Sequence, residues 1–530
     1  VPFNAAGRAE HWRALSHEHF DLLVIGGGIT GVGTALDAAG RGLSVAVVEA
    51  GDWGSGTSSR SSRLIHGGLR YLETFDFGLV FEALGERRRL LALAPHLVRP
   101  LPFLFPVYRG DDVGMAKLTA GMWLYDALSL FRGLPRHQLL RGSAVREREP
   151  GLRRAGLKGG AVYYDAQVDD ARLTLAVARA ANDAGARMAS YAPLVGFIKG
   201  DDGKIAGGRV RDALTGEETE IRARLVLSAA GPWTDEVRTM ADPSARPRLR
   251  PTKGVHIVVR RERIGNEGAI IFSSAVDERV MFVLPWGDFT YIGTTDTDFA
   301  GSPADVAADD ADVDYLLRSA NALFPAAGLA SADVVGTWAG VRPLLAESHE
   351  DDAGDTSREH DIWRERNGLL CIAGGKLTTY RTMAEEAAKR AARILRDEHN
   401  VESGEFYTEH LRLPGAPVGD WNAFVRQLAA RGAALGLTAQ QSAHLARAYG
   451  TEAMLVLDRV DANRSIGDAV VAGLPYIRAE IPHVIEHEMA LTEDDVLRRR
   501  LHVSYEAGDD VDLGAEALQI LQSGLKRERQ

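Results

Sequence analysis

Twelve consecutive residues, Arg60 to Tyr71, read RSSRLIHGGLRY. Three arginines, a histidine and a tyrosine surround two adjacent glycines, which suit neither a helix nor a strand interior. Guanidinium groups are most effective against phosphate or carboxylate oxygens, where the planar fork donates paired hydrogen bonds. Imidazole titrates nearest neutral pH, so a histidine in such a cluster is a candidate proton carrier. The rest of the chain does not share this charge: 62 basic against 73 acidic side chains leave a formal net charge of -11. General nucleic-acid binding requires a net basic surface, so nucleic acid is excluded as a partner and any anion site is local.

A second constellation precedes the first. Gly26, Gly28 and Gly31 form G-x-G-x-x-G directly after an apolar run, Gly33 follows, and Glu49 lies 21 residues beyond Gly28. The first glycine permits a tight turn, the second lets backbone approach a pyrophosphate, and the third lets helix and strand pack closely. The helix that opens there adds oriented N–H groups and a partial positive charge. A carboxylate at the position of Glu49 accepts hydrogen bonds from adenosine ribose hydroxyls and repels a 2′-phosphate, which disfavours NADP. FAD and NAD stand equal on this motif alone. The run AGGKLTTY, with Gly375, Lys376, Leu377 and Thr378, breaks the tie toward FAD, because a second glycine pair ahead of a helix can present N–H groups to a flavin's pyrimidine edge or to the diphosphate.

These residues need a scaffold. The run FDLLVIGGGITGVGTALDAAGRGLSVAVVEA reads as strand, glycine turn, helix and second strand, with 22–25 and 45–48 as buried parallel strands. IRARLVLSAAGPW, ending at Gly231, and NGLLCIAGGKLTTYRTMAEEAAKRAARIL each carry a further apolar strand into a glycine, the latter followed by a helix expected to open at Thr378 or Thr379. Between them, KGVHIVVR, RVMFVLPW and FTYIGTTDT have the β-branched and aromatic content of a mostly antiparallel sheet. Beyond about residue 405 the runs become helical. A length of 530 residues suggests about three domains, and 45% hydrophobic with 25% charged residues places the chain among globular enzymes. The single cysteine, Cys371, excludes an intrachain disulfide and a cysteine-built metal centre, and its apolar setting predicts burial. No apolar run approaches the ~18 residues that span a bilayer, and the first nineteen residues read as a polar leader.

Taken in order, VIGGGITGVGTALDAAGRGLSVAVVEAGDWGSGTSSRSSRLIHGGLRYLE, KGVHIVV, IGTTDTDF, GVRPLL and GGKLTTYR closely resemble FAD-dependent glycerol-3-phosphate dehydrogenase of the aerobic bacterial and mitochondrial type. The resemblance covers about residues 20 to 390, and DRVDANRSIGDAV and EHEMALTEDDVLRRRL look like that family's helical domain. It implies an α/β architecture: a Rossmann-like FAD-binding domain of the glutathione-reductase/D-amino-acid-oxidase type, an antiparallel-sheet substrate domain and a helical C-terminal domain. The expected division is a leader over 1–19, a discontinuous FAD-binding domain over 20–100, 150–250 and 335–400, a substrate or membrane-facing domain over 101–149 and 251–334, and helices over 405–530. The implied reaction oxidises sn-glycerol 3-phosphate to dihydroxyacetone phosphate, with non-covalent FAD passing electrons to a membrane quinone. The implied location is the cytoplasmic face of the membrane, peripherally attached; a homodimer is compatible with it.

Matched motif by motif, the resemblance assigns Arg70, Tyr71, His256, Arg342 and Lys376 to a substrate pocket, with Arg70 and Arg342 as first choices for anchoring phosphate or hydroxyl. A phosphate monoester carries about -1.5 to -2 charges and needs such converging cations. His66 and His256 are the two candidate bases for the C2 hydroxyl proton, and Lys376 or Arg342 would stabilise an alkoxide. Gly67 and Gly68 would let the chain pass close to the flavin ring, while Thr57, Ser58 and Ser59 offer hydroxyls and N–H groups beside the diphosphate. The segment GMAKLTAGMWLYDALSLFRGL places Met115, Leu118, Met122 and Tyr125 on one helical face, with Trp123, Leu124, Leu130 and Phe131 expected to widen it and Lys117 and Arg132 to meet lipid headgroups. A core or dimer-contact helix has the same periodicity. A soluble glycerol-3-phosphate oxidase using oxygen, a related amine or hydroxy-acid oxidase, and a non-catalytic flavin-binding protein are the competing readings.

Overall fold

The structure, a computed structural model, describes residues 1–72, 76–346, 360–508 and 511–529, without the side chains of 70, 528 and 529. One sheet is built around His19–Ile25, which pairs in parallel with Glu218–Ser228 on one side and Val45–Val48 on the other. Leu370–Gly374 and Arg187–Ala189 extend it in parallel, and His360–Arg364 adds an antiparallel edge. Leu22 and Val24 enter one apolar cluster and Leu23 and Ile25 another, so the strand is covered on both faces and its sequence is continuously apolar rather than alternating. Each such fully buried side chain contributes about 1.5–3 kcal/mol.

The helix Ile29–Gly40 follows the first strand and packs against Asp170–Asp183 and Tyr380–His399. Gly26 has φ +112°, and a Cβ on Gly31 would lie 1.9 Å from the Gly26 carbonyl oxygen, so the turn needs both glycines. The helix expected from Thr378 or Thr379 begins as a 3₁₀ turn, Leu377–Thr379, with the α-helix opening at Tyr380. Cys371 is buried, and burial pushes its thiol up to about 12.

The second sheet runs in the order Thr297–Asp298, Leu249–Arg260, Phe289–Gly293, Val280–Trp286, Ala269–Ser273, Val98–Tyr108, Leu157–Val168, Leu64–Ile65, and Val334–Leu345 also pairs with Leu249–Arg260. It is antiparallel except where Ala269–Ser273 meets Val98–Tyr108. It extends past the expected domain limits, because Leu157–Val168 and Val334–Leu345 hydrogen-bond into it although their apolar character alone suits either sheet.

The opening residues do not form a free leader. Ala5–His17 is a helix capped by Asn4, and it docks through a buried Arg8–Asp212 ion pair and a His11–Asn182 hydrogen bond. Trp12 and Leu15 are buried on the same helix, but the polar residues around them, two of which are themselves buried and paired, gave the segment a polar composition. At the other end, helices Trp421–Ala434, Ala439–Tyr449, Ala453–Ala462, Glu480–His487 and Gly514–Arg529 form the C-terminal part.

Candidate active site

A cleft of about 550 Å³ opens at the carboxyl ends of the parallel strands. Gly26, Gly28, Ile29 and Glu49 line one part, Thr57 and Ser58 another, and Gly231, Trp233, Gly375, Lys376 and Leu377 the remainder. Strand ends converge there because each parallel strand hands its chain to a loop at the same edge. The Glu49 carboxylate accepts hydrogen bonds from the Gly27 N–H at 2.6 Å and the Gly51 N–H at 2.8 Å. Burial pushes its pKa up, and those two N–H groups oppose the shift. Ser58 Oγ accepts from the Ile29 N–H at 2.9 Å and so caps the helix at the cleft.

A smaller pocket of about 170 Å³ adjoins this cleft, and the two share Thr57, Ser61, Pro343, Gly375, Lys376 and Leu377. Its basic lining consists of Arg60, His66, His256, Arg342 and Lys376, and no acidic side chain lines it among the described residues. Strand register explains part of the gathering. Thr252 pairs with Arg342 and Gly254 with Gly340, and His256 lies on the same strand face as Thr252 and Gly254. A Cβ on Gly254 would lie 2.5 Å from Arg342 Nη2, and one on Gly293 would lie 2.2 Å from His256 Cδ2. Both glycines therefore make room for a working side chain.

Arg342 donates to Asp296 Oδ1 at 2.9 Å and to Thr294 Oγ1 at 3.1 Å. His256 is buried, shares a 3.0 Å hydrogen bond between Nε2 and Ser62 Oγ, and stacks on Trp338 at 4.8 Å. Its Nδ1 is buried with no hydrogen-bond partner among the described residues. Burial, followed by the charges of Arg342 and Arg63, holds the His256 pKa well below the ordinary imidazole value, so the ring is neutral near pH 7. His66 is held by backbone: its N–H donates to Thr378 Oγ1 at 3.1 Å, and that hydroxyl donates back to its carbonyl at 3.3 Å. Lys376 Nζ lies 3.5 Å from the centre of the Tyr71 ring. Among the described residues the Arg60 guanidinium makes one hydrogen bond, a long one of 3.5 Å to the Ala339 carbonyl, and burial lowers its pKa.

The smaller pocket thus brings together His66, Tyr71, His256, Arg342 and Lys376 across about 300 residues of chain. The Arg70 side chain lies outside the described residues. Gly31 lies beneath the larger cleft, packed on Gly26, and Thr378 lines the smaller pocket only. Ser59 is buried and lines neither space. Gly67 and Gly68 also line neither: the Gly67 N–H donates to Tyr125 Oη at 3.0 Å, and a Cβ there would strike Leu84. Arg60 and Ser62 belong to the stretch Gly56 to Ser62, expected beside the diphosphate, yet they line the smaller pocket, and Trp233 was not expected in the site; Arg60 stood in the opening motif, but nothing local separated it from Arg63, which turns away toward Asp170.

Comparison with known proteins yields a consistent family. Residues 21–381 match the family model described as FAD dependent oxidoreductase, and 406–530 match the C-terminal domain of alpha-glycerophosphate oxidase. Glycerol-3-phosphate dehydrogenase 2 of Mycobacterium tuberculosis is 42% identical over 502 residues, 94% of this chain and 84% of that protein. The aerobic glycerol-3-phosphate dehydrogenase of Staphylococcus aureus is 36% identical over 92% of this chain and 87% of its own. The structure of the glycerol-3-phosphate dehydrogenase from Bacillus halodurans complexed with FAD superposes with a TM-score of 0.80 at 33% identity, covering 99% of this chain and 94% of that one.

Proposed function

This chain belongs to the FAD-dependent glycerol-3-phosphate dehydrogenase family, and from that premise we propose that the smaller pocket holds glycerol 3-phosphate while the larger cleft holds FAD, with a membrane quinone as final acceptor. The observation that carries the reading is the junction of the two spaces through Thr57, Ser61, Pro343 and Gly375 to Leu377: an acid-free, cationic pocket opens directly onto a dinucleotide-sized cleft. The cleft fits the cofactor on its own terms, since about 550 Å³ lies within the range of cofactor sites and its rim combines a helix N-terminus with a fixed carboxylate.

Bound in the cleft, FAD supplies the hydride acceptor for the substrate C2 hydrogen. Arg342 and Arg60 hold the phosphate, and their burial strengthens each contact relative to water. Asp296 and Thr294 fix the Arg342 guanidinium, so little side-chain entropy is lost on binding. His256 accepts the C2 hydroxyl proton, with the Ser62 hydrogen bond orienting its ring. It is neutral before substrate arrives, as a base must be, and an incoming dianion opposes the depressing charge of Arg342. Lys376 stabilises negative charge developing on the C2 oxygen. His66 is the rival base, and parallel His66→Gln and His256→Gln variants separate the two by which one loses the chemical step.

Anaerobic addition of glycerol 3-phosphate to the FAD-loaded protein should bleach the flavin absorbance. A flavin that stays oxidised under saturating substrate would overturn the assignment. Quinone as acceptor is supported by the apolar side chains exposed on and after the helix Met115–Leu128, including Trp123 and Phe131. Rapid oxygen consumption with peroxide release in the absence of quinone would assign an oxidase instead.

A further inference from the structure

A third cavity, of about 300 Å³, opens between the antiparallel sheet and the C-terminal helices and shares no lining residue with the pocket around His256. Five arginines line it. Three face buried carboxylates: Arg63 sits 3.6 Å from Asp170, Arg172 2.5 Å from Glu488, and Arg500 2.6 Å from Asp52. Arg99 and Arg447 have no acidic partner among the described residues. Arg99 donates only to the neutral Gln167 Oε1, at 2.7 Å and 3.2 Å, and no side-chain hydrogen bond or ion pair of Arg447 occurs among the described residues.

The acids of the cavity make no ion pair with Arg99 or Arg447 among the described residues: Asp169 is bound to His502 at 2.7 Å, Asp288 accepts from the neutral Gln440 amide at 2.7 Å, and burial raises the Glu506 carboxyl to about 8, leaving it mostly uncharged at pH 7. Burial, and then the charge of Arg447, lowers Arg99 to about 10, and the opposing influence of Tyr291 and Asp169 does not offset them. Two further buried groups carry atoms with no hydrogen-bond partner among the described residues: His96, 4% exposed, at Nδ1, and Arg63 at Nη2 and at Nε, the latter 3.6 Å from Asp170. Buried donors without partners are costly and mark places where a ligand or water completes the bonding. Trp286, Phe289 and Tyr476 supply apolar wall beside the charge. Trp338, stacked on His256 at 4.8 Å and lying 4.9 Å from the Arg63 guanidinium, separates this cavity from the active pocket.

We propose that this cavity is a second oxyanion site, taking inorganic phosphate or a small phosphate monoester between Arg99 and Arg447. Paired arginines match the tetrahedral oxygens of phosphate, and the volume accommodates a short carbon chain in addition.

The test is equilibrium dialysis of labelled inorganic phosphate against the FAD-loaded protein at constant ionic strength. Wild type should bind two phosphates per chain, one in each site. Arg342→Met, which disables the active pocket, should keep one, and adding Arg447→Gln or Arg99→Gln should weaken that remaining phosphate about tenfold or more. Arg447 is solvent-exposed, so Arg447→Gln alone should fold normally and turn over glycerol 3-phosphate at the wild-type rate in phosphate-free buffer, while losing one phosphate. Unlabelled glycerol 3-phosphate displacing the label from Arg342→Met assigns an ester site; no displacement assigns inorganic phosphate. The proposal is overturned if Arg342→Met binds no phosphate, or if Arg447→Gln and Arg99→Gln leave its binding unchanged. Neither outcome bears on flavin bleaching, so the active-site reading is judged separately.

Discussion

At the scale of single residues, the candidate active site depends on atoms that are absent. Gly254 leaves space for the Arg342 guanidinium, and no other residue type can occupy that strand position without displacing it. Gly254→Ala should therefore raise KM for glycerol 3-phosphate by about tenfold or more while flavin content per chain stays at the wild-type value. Steady-state kinetics with flavin absorbance checks this, and an unchanged KM would show that Arg342 does not contact substrate. Glu506 gives a prediction of a different kind. Its folded pKa, about 8, is raised above the ordinary 4.5, chiefly by burial, so the folded state binds more protons than the unfolded state between those values. Stability from this group is present at low pH and is lost as pH rises toward 8, on the order of a few kcal/mol. Urea unfolding should show Glu506→Gln gaining on wild type as pH rises from about 5 to about 8.

At the scale of elements, two neighbouring helices serve two environments at once. Along Met115–Leu128, Leu118, Met122 and Tyr125 are buried in the core, as the helical spacing suggests. Trp123, Leu124, Leu130 and Phe131 do not widen that face; they lie on the solvent side, 37–52% exposed. Helix Phe77–Leu93, which packs beside it, exposes Phe77 and Phe81 as well. Replacing Trp123 and Phe131 by glutamate should abolish binding to anionic-lipid vesicles in a flotation assay and leave activity with a soluble acceptor intact. Vesicle binding retained by the variant, or absent from wild type, would overturn the proposal that these side chains meet a membrane. The buried side of the same helix holds the HGG loop: Tyr125 Oη donates to Asp165 at 2.8 Å and accepts from the Gly67 N–H, and Asp165 pairs with Arg87. Tyr125→Phe removes the hydroxyl's bond to the Asp165 carboxylate and leaves the Gly67 N–H with Asp165 Oδ1 at 3.3 Å alone, which should cost about 1–2 kcal/mol, read as a lower unfolding midpoint.

At the scale of the whole molecule, the C-terminal helices brace the nucleotide cleft. Asp52, in the loop after Glu49, accepts from Arg499 Nε at 2.6 Å and from Arg500 Nη1 and Nη2 at 2.6 Å and 3.0 Å. Burial pushes the Asp52 carboxyl up, but the charges of Arg500 and Arg499 outweigh it and hold the pKa below its ordinary value. Removing one partner from a buried pair costs about 3–5 kcal/mol, so Arg500→Met should release FAD at a lower temperature than wild type in a thermal flavin-fluorescence assay. No shift in the release temperature would mean that the domain contact does not support the cleft.

The nucleotide half was readable from its residues because its signals are local: Gly26, Gly31 and Glu49 act within one strand–helix–strand unit, and backbone geometry alone forces those residue types. The RRR run at 498–500 and the small pocket were not readable in this way. Which of Arg60, Arg63 and Arg70 faces substrate depends on strand register and on packing against partners such as Asp170, more than 100 residues distant. Residue type and spacing determined a dinucleotide fold and a local concentration of cations. Only the tertiary structure decided which cations meet, which are neutralised by buried carboxylates and which remain available to an anion, because Coulomb energy depends on separation in space and on burial, and neither is a property of position along the chain.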